Sequence, residues 1–288
     1  LYARFCAELT FEALRIEGLR PADEGTLWQD LSRSVGAPDV SPDGAHLATI
    51  LRPADGPAKL VVFGTADDPE AKTTWEEDLP DLEKDPDDVA PVAPEVYPRE
   101  PAFEHTAGGR SPWRVRFIDD DTVLFTDFVS DAAADLSPDL FTWTLSTGAI
   151  QRITRRGHVR DADPHGDMAV ALRTRHGLSE IVSVDLTSGA VTALYGGEGP
   201  AVVYAQPRIS PDGSQVVWLR NDDGWEVVVA PLSDGSLGAP AVVALPKGRS
   251  ILSVDWSPDG QSLVASLGYA GFFELYAVPL SGEARQLT

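Results

Sequence analysis

Short apolar segments recur along most of this chain, and their residues have the alternating periodicity of β-strands. One set follows polar or glycine-containing turns and includes HLATIL, TVLFTDF, MAVALR, QVVWLR and SLVASL. A second set follows after a polar break and includes KLVVFG, LFTWTL, EIVSVDL, EVVVAPL and FELYAVPL. Valine, leucine and aromatic residues at this spacing are typical of buried or half-buried strands. The pattern predicts an all-β protein from about residue 37 onward.

One turn sequence, S-P-D-G, accompanies these segments and occurs three times, at Ser41–Gly44, Ser210–Gly213 and Ser257–Gly260. Proline presets φ at the second position of a turn, aspartate tolerates the third, and glycine closes the turn without crowding the next strand. Two weaker copies are DPHG at Asp163–Gly166 and an acidic turn within Phe117–Phe125. Each copy is predicted to join two antiparallel strands.

The spacing of these five turns is regular after the first interval. Measured between residues 42, 119, 164, 211 and 258, the intervals are 77, 45, 47 and 47 residues. The later units also contain a second, glycine-containing turn, followed in most of them by a short final segment, which makes about four strands per unit. Four-stranded units of roughly 40–50 residues are typical of β-propeller blades, whereas a β-sandwich has no reason to repeat this period. We therefore predict a β-propeller of four-stranded blades, with five visible blade starts that leave room for further blades.

The S-P-D-G turns and the blade ends LTSGAVTALY and PLSGEARQLT resemble those of TolB-like propellers. They are also similar to the propellers of the prolyl-oligopeptidase and tricorn peptidases. The resemblance covers about residues 37–288 and implies the fold, together with a bacterial protein of the envelope, periplasmic or secreted. Propellers host many unrelated activities, so the resemblance assigns no role to any single residue.

Residues 1–36 have helical rather than alternating periodicity. Two apolar stripes lie there, one formed by Tyr2, Phe5, Cys6 and Leu9 and the other by Leu27, Trp28, Leu31 and Val35. They predict two short helices that form a lead-in to the propeller or the end of a preceding domain. Because the chain begins at Leu1 and stops directly after a predicted strand, we expect it to be part of something longer. The single cysteine, Cys6, excludes an internal disulfide and is expected to be a small core residue.

The long first interval contains an acidic, proline-rich insertion at Asp67–Glu104, with 14 acidic residues, 3 basic residues and 7 prolines. Prolines and like charges favour an expanded loop that reaches beyond the blade. Two functional alternatives are a Ca²⁺ site and a strip that docks a basic partner. Both would use the acidic residues Glu76, Glu77, Asp78, Asp81, Asp85, Asp87 and Asp88. Neither EF-hand spacing nor a glycine pivot is present, which favours the solvated loop.

The charge of the chain narrows the class of partner. There are 45 Asp and Glu against 23 Lys and Arg, a formal net charge of −22. That charge opposes binding to nucleic acid or to an anionic membrane surface. No apolar run of roughly 18 residues is present, so we predict no membrane insertion. A protein or peptide partner at a propeller rim or at the central channel is the remaining expectation.

Motifs for catalysis are absent from the sequence. It lacks G-x-S-x-G, H-E-x-x-H, G-x-x-x-x-G-K-[ST] and G-x-G-x-x-G. The densest polar cluster is RRGHVRDADPHGD, which contains Arg155, Arg156, His158, Arg160, Asp161, Asp163, His165 and Asp167. These residues could bind a metal or clamp a carboxylate, but a structural connection between two blades accounts for them equally and is favoured. We therefore predict no catalytic, cofactor-binding or metal-binding residue.

Two functional hypotheses remain. The first is a non-catalytic binding or scaffolding module of the TolB-like type, in which loops on a rigid propeller contact the partner. The alternative is the propeller domain of a larger peptidase whose catalytic domain lies outside these 288 residues.

Overall fold

The structure is a computed structural model that describes residues 35–52, 56–66, 100–106, 112–130, 136–269 and 272–288. In these ranges the secondary structure consists of strands and contains no helix. The described residues therefore include no helical segment that could span a membrane. The helices predicted before residue 35 lie outside the described residues. Val35 had been placed on the second helical stripe, and that prediction is wrong because Val35 begins the first strand. The first blade therefore starts two residues before the predicted boundary at residue 37.

The strands form five sheets in chain order. The first sheet contains β1 (Val35–Val40), β2 (His46–Leu51), β3 (Lys59–Gly64) and β4 (Phe103–Thr106). The second contains β5 (Trp113–Asp119), β6 (Thr122–Ser130), β7 (Leu136–Thr144) and β8 (Ala149–Arg152). The third contains β9 (Val159–His165), β10 (Met168–Arg175), β11 (Leu178–Asp185) and β12 (Val191–Gly196). The fourth contains β13 (Val203–Ile209), β14 (Gln215–Asn221), β15 (Trp225–Ser233), β16 (Ser236–Leu237) and β17 (Ala241–Val243). The fifth contains β18 (Ser250–Trp256), β19 (Ser262–Tyr269), β20 (Phe272–Pro279) and β21 (Arg285–Gln286).

Each sheet is an antiparallel meander, and together they form the five blades of a propeller. This confirms the predicted all-β propeller and its four-stranded blades. The fourth blade differs because the outer edge of β15 pairs with both β16 and β17. The first strand of every blade is interrupted by a register shift, for example between Trp113 and Val115 in β5. Such bulges bend a strand and redirect its side chains.

Apolar cores lie between consecutive blades. Because side chains alternate along a strand, neighbouring residues of β6 serve different cores. Val123 and Phe125 pack with Ile50 and Val62 of the first blade, while Leu124 packs with Val182 of the third. Two further cores join the third blade to the fourth and the fourth to the fifth. Packing of this kind keeps the blades in a fixed arrangement.

The fifth blade is apolar on both faces. One face carries Trp256, Leu263 and Val278 into the core shared with the fourth blade. On the other face Phe273 is 56% exposed and Leu275 is 42% exposed. Among the described residues, none of the four apolar cores joins the fifth blade to the first.

The S-P-D-G turns have the same hydrogen bonds in all three copies. In the fourth blade the Ser210 hydroxyl donates to Asp212 at 2.6 Å and accepts from the Gln215 amide at 2.9 Å. The Gly213 amide donates to the Ser210 carbonyl at 2.8 Å, and Gly213 has a φ of 74°, which favours glycine. The motif recurs because it satisfies its own polar groups, so its role is structural.

The two weaker turn copies have different outcomes. The acidic turn of the second blade is confirmed, since Asp119 pairs with Thr122 across it. The prediction for DPHG is wrong, because Asp163, Pro164 and His165 all belong to β9. His165 pairs with Met168, which leaves a two-residue turn in which Gly166 has a φ of 57°.

The acidic insertion lies between the third and fourth strands of the first blade. The sequence places its end at about Glu104, and Phe103 and Glu104 already belong to β4, where Phe103 pairs with Val62. Residues 67–99 lie outside the described residues, and so does the acidic set proposed for Ca²⁺ or for a basic partner.

Candidate functional site

Five charged side chains, one from the first strand of each blade, meet at the centre of the propeller. They are Asp39, Arg116, Asp163, Arg208 and Asp255, so acidic and basic residues alternate from blade to blade. Their positions are equivalent, since each lies opposite the corresponding residue of the second strand. We call this set the axial charge ring.

Arg116 of β5 is the hub of the axial charge ring. Its Nη1 lies 2.8 Å from Asp39 Oδ1, and its Nε lies 3.2 Å from Asp163 Oδ1. Its Nη2 lies 2.6 Å from Asp255 Oδ2. One guanidinium therefore joins the second blade to the first, third and fifth.

A second layer of charges lies two residues earlier on the inner strands. Arg114 Nε is 3.4 Å from Asp161 Oδ1, and Arg208 Nη2 is 3.2 Å from the same oxygen. Arg114 and Asp161 have φ values of 53° and 51°, in the left-handed region that non-glycine residues seldom occupy. The bulges in β5 and β9 thus place these side chains toward the neighbouring blades.

Two aspartates of the ring also accept a backbone hydrogen bond from the next blade. Asp39 Oδ2 accepts from the Phe117 amide at 2.7 Å, and Asp163 Oδ2 accepts from the Ile209 amide at 2.8 Å. The Asp255 carboxylate instead accepts from the Trp256 amide of its own strand at 2.9 Å, and its side chain is 45% exposed. Asp39 and Asp163 therefore bind the backbone of the neighbouring blade, whereas the carboxylate of Asp255 stays accessible to solvent.

The pKa values of these groups reflect burial and opposite charge. Burial raises the pKa of Asp163 to about 6, an effect that Arg116 and Arg208 only partly offset. Burial raises the pKa of Asp39 as well, again against Arg116. For Asp161 burial is outweighed by Arg208 and Arg114, so its pKa falls below the ordinary value. Burial opposes the charge of Arg116, but the carboxylates of Asp163, Asp255 and Asp39 outweigh it and raise its pKa.

Arg208 is the most buried member of the ring, with a side chain 2% exposed. Its Nη1 donates to the Pro207 carbonyl at 2.6 Å, while its Nε is 3.8 Å from Asp255 Oδ2, too far for a hydrogen bond. In the described part of the chain that Nε has no hydrogen-bond partner. Buried ion pairs depend strongly on each partner, so the ring acts as an electrostatic clamp that holds five blades in one geometry.

The polar cluster singled out from the sequence does not form one site. Arg155 and Arg156 lie in the connection before β9, and Asp161 and Asp163 lie at the centre. His165 is the last residue of β9, and Asp167 lies in the turn after it. Strand β9 therefore spreads the cluster from one end of the propeller to the other. Within the described ranges, no group of three His, Cys, Asp or Glu residues could hold a metal ion.

Sequence reasoning missed most of the axial charge ring. A signal was available, since Asp39, Arg208 and Asp255 each precede the serine of an S-P-D-G turn by two residues. Arg116 has no such neighbour and could be found only by aligning the weaker turn of its blade with the others.

Solved structures of propellers are similar to this chain, whereas no protein-family model and no curated protein sequence matches it. A protein assigned as a TolB from Agrobacterium tumefaciens matches with a TM-score of 0.58 at 17% identity, over 88% of this chain and 79% of that one. TolB from Acinetobacter baumannii matches with a TM-score of 0.56 at 16% identity, over 85% of this chain and 53% of that one. A puromycin-hydrolyzing peptidase from Mycobacterium tuberculosis matches with a TM-score of 0.51 at 20% identity, over 92% of this chain and 40% of that one. At sequence identities this low, the structural similarity shows the fold alone.

Proposed function

We propose that this chain is a non-catalytic propeller module of the TolB-like type that binds or scaffolds a protein or peptide partner. The observation that carries the proposal is the axial charge ring, in which Arg116 reaches carboxylates from three other blades. The ring fills the centre with mutually paired charges and fixes the blades as a platform. The partner would then contact the loops at the two ends of the blades and the mouth of the channel.

One end of the blades is strongly acidic. It contains the turns that join first to second strands and third to fourth strands. The described residues in or beside these turns include one basic residue, Arg285, and eleven acidic ones: Asp43, Glu100, Asp119, Asp120, Asp121, Asp167, Asp185, Asp212, Asp234, Asp259 and Glu283. The acidic insertion also joins the blade at this end. We call it the acidic end.

The opposite end exposes large apolar side chains. Trp113, Leu136, Trp225, Leu252 and Phe273 are 46%, 61%, 44%, 53% and 56% exposed, and each lies at or near the start of a strand that begins at that end. Exposed aromatic and aliphatic side chains of this kind mark surfaces that contact other proteins. The two ends therefore differ in chemistry, as expected for a platform that distinguishes its partners.

Photo-crosslinking in cells of the source organism tests this proposal. A photoreactive residue at position 225 or 252 should trap a discrete partner that a reporter at the exposed, polar position 188 does not trap. Equal trapping from all three positions, or none from any, would contradict a binding module.

A second candidate is the propeller domain of a larger peptidase. It is favoured by the match to the puromycin-hydrolyzing peptidase, in which 92% of this chain corresponds to 40% of that one. The full reading frame discriminates between the two, because an upstream H-E-x-x-H or a downstream G-x-S-x-G would make the parent protein an enzyme.

A further inference from the structure

Basic side chains concentrate where the second blade connects to the third. The connection, the start of β9 and the nearby end of β10 carry four arginines and two histidines, namely Arg155, Arg156, His158, Arg160, Arg175 and His176. We call this set the basic patch. It stands out because the chain as a whole has a net charge of −22.

The connection that carries the basic patch is held in place by a buried carboxylate. Asp139 of β7, whose side chain is fully buried, accepts from the amides of Arg156 at 3.1 Å and Gly157 at 2.8 Å. Its other hydrogen bonds come from Arg152 and from the Thr154 hydroxyl, the latter at 2.8 Å. A carboxylate with this many donors fixes the path of the backbone.

Further hydrogen bonds gather the members of the patch from three segments. The His158 carbonyl accepts from the Thr174 amide at 3.3 Å, which places the end of β10 beside the connection. His158 Nδ1 also lies 3.4 Å from the Ser137 hydroxyl of β7. Arg175, directly after Thr174, therefore lies close to Arg155 and Arg156.

The backbone of the patch is strained at three residues. Arg156, His158 and His176 have φ values of 53°, 53° and 54°. A non-glycine residue is retained in this region where the surrounding structure fixes its conformation.

Part of the positive charge of the patch is not neutralised within the described structure. Arg155 and Arg175 are exposed and have no ion pair among the described residues. Nearby arginines that serve the fold are paired, as Arg152 is with Asp139 and Arg173 with Glu180. The free guanidinium groups are suited to bidentate binding of carboxylates.

Two exposed apolar residues are neighbours in sequence of residues that contact the third blade near the basic patch. Leu136, 61% exposed, directly precedes Ser137, which contacts His158. Trp113, 46% exposed, directly precedes Arg114, which pairs with Asp161 next to Arg160. The surface therefore combines free guanidinium groups with two exposed apolar anchors.

We propose that the basic patch, with Leu136 and Trp113, docks an acidic peptide segment of a partner protein in which aliphatic or aromatic residues alternate with carboxylates. The proposal rests on the proposed function and names its partner class. Charge complementarity would orient the segment, and the apolar anchors would supply contact area that a simple polyanion cannot use.

Fluorescence anisotropy with defined peptides tests the proposal on the full chain. The probe is a labelled peptide of about twelve residues, extended at roughly 3.3 Å per residue, that alternates glutamate with leucine and phenylalanine. Arg155→Glu, Arg175→Glu and Trp113→Ala should each weaken its binding about fivefold or more, and binding should weaken with added salt. Arg285→Glu makes the same charge change at the acidic end and should leave binding unchanged.

Two comparison probes decide the outcome. A peptide with glutamine in place of glutamate, and a polyglutamate of equal length, should both bind about tenfold more weakly. Equal affinity for polyglutamate or for a single-stranded RNA of similar charge would overturn the acidic-apolar partner in favour of a plain polyanion surface. Absence of peptide binding would overturn this inference alone, because crosslinking from positions 225 and 252 reports separately on the binding function.

Discussion

Arg116 Nη2 and Asp255 Oδ2 lie 2.6 Å apart although 139 residues separate them in the chain. The pair joins the inner strand of the second blade to that of the fifth. Asp39 and Asp163 contact the same guanidinium, so three carboxylates share one positive charge. The stability of the propeller should therefore depend heavily on this single residue.

Arg116→Met should destabilise the protein by about 3–5 kcal/mol, because it leaves partly buried carboxylates without their counter-charge. For a chain of this size, that corresponds to a fall in Tm of roughly 10 °C. Chemical denaturation and calorimetry would measure the change. Lys59→Met is the matched control, since it breaks a half-exposed pair with Glu104 and should cost less than about 1 kcal/mol. Similar losses in both variants would contradict the clamp.

Asp163 predicts a specific pH dependence of stability. Its pKa is about 6 in the folded protein and 3.8 ordinarily, so between these values the folded state binds a proton that the unfolded state does not. Lowering the pH from 7 to 4 should therefore stabilise the wild type relative to Asp163→Asn, by about 2 kcal/mol. Denaturation curves of both proteins across this range would show it. A difference that is constant, or that favours the variant at low pH, would contradict the assignment.

Two equivalent turn glycines should respond differently to alanine. Gly148 and Gly189 have φ values of 70° and 72°, but only at Gly189 would an added Cβ meet backbone, at the Ile153 carbonyl oxygen. Gly148→Ala should cost about 1 kcal/mol for the left-handed backbone alone. Gly189→Ala should cost about 3 kcal/mol or more, because the connection to the third blade must shift. Equal costs in denaturation experiments would contradict this contact.

The blades could be predicted from the sequence because their turns are local. Ser210 and Asp212 complete their hydrogen bonds within six residues, so the motif is legible in a short window. The DPHG segment was wrongly predicted as a turn because proline is typical of turns. Proline is also tolerated in an edge strand such as β9, where the missing amide hydrogen costs few hydrogen bonds. The pairing of His165 with Met168, which decides between the two, leaves no sequence signal.

The axial charge ring could not be predicted in the same way. Its hydrogen bonds between blades join residues 46 to 139 positions apart, such as Ile209 with Asp163 and Arg116 with Asp255. Only the order of the blades around the centre brings them together. The basic patch likewise becomes visible only in the fold, because pairing with β9 brings the end of β10, with Arg175, beside the connection that carries Arg155.

Removal of the insertion should leave the propeller intact. Val62 and Phe103 are paired neighbours in the sheet, so a short glycine-serine turn can replace residues 67–99 without altering β3 or β4. The replaced segment has 12 acidic and 3 basic residues, so the net charge changes from −22 to −13. We expect a Tm within about 3 °C of the wild type by calorimetry. A much larger loss would show that the segment contributes to the fold.

The purified chain should not hydrolyse peptides or esters. The prediction follows from the sequence, which has none of the nucleophile or metal motifs whose geometry such chemistry needs. A library of fluorogenic peptides and esters would test it, with a heat-inactivated sample as the control. Turnover that survives repurification and scales with protein concentration would contradict it.

The S-P-D-G turn closes on itself, and this makes it portable. Ser257 bonds to Asp259 and to the amide of Ser262 without help from any other blade. A designer could transplant these six residues into an unrelated two-stranded hairpin and expect the same strand register.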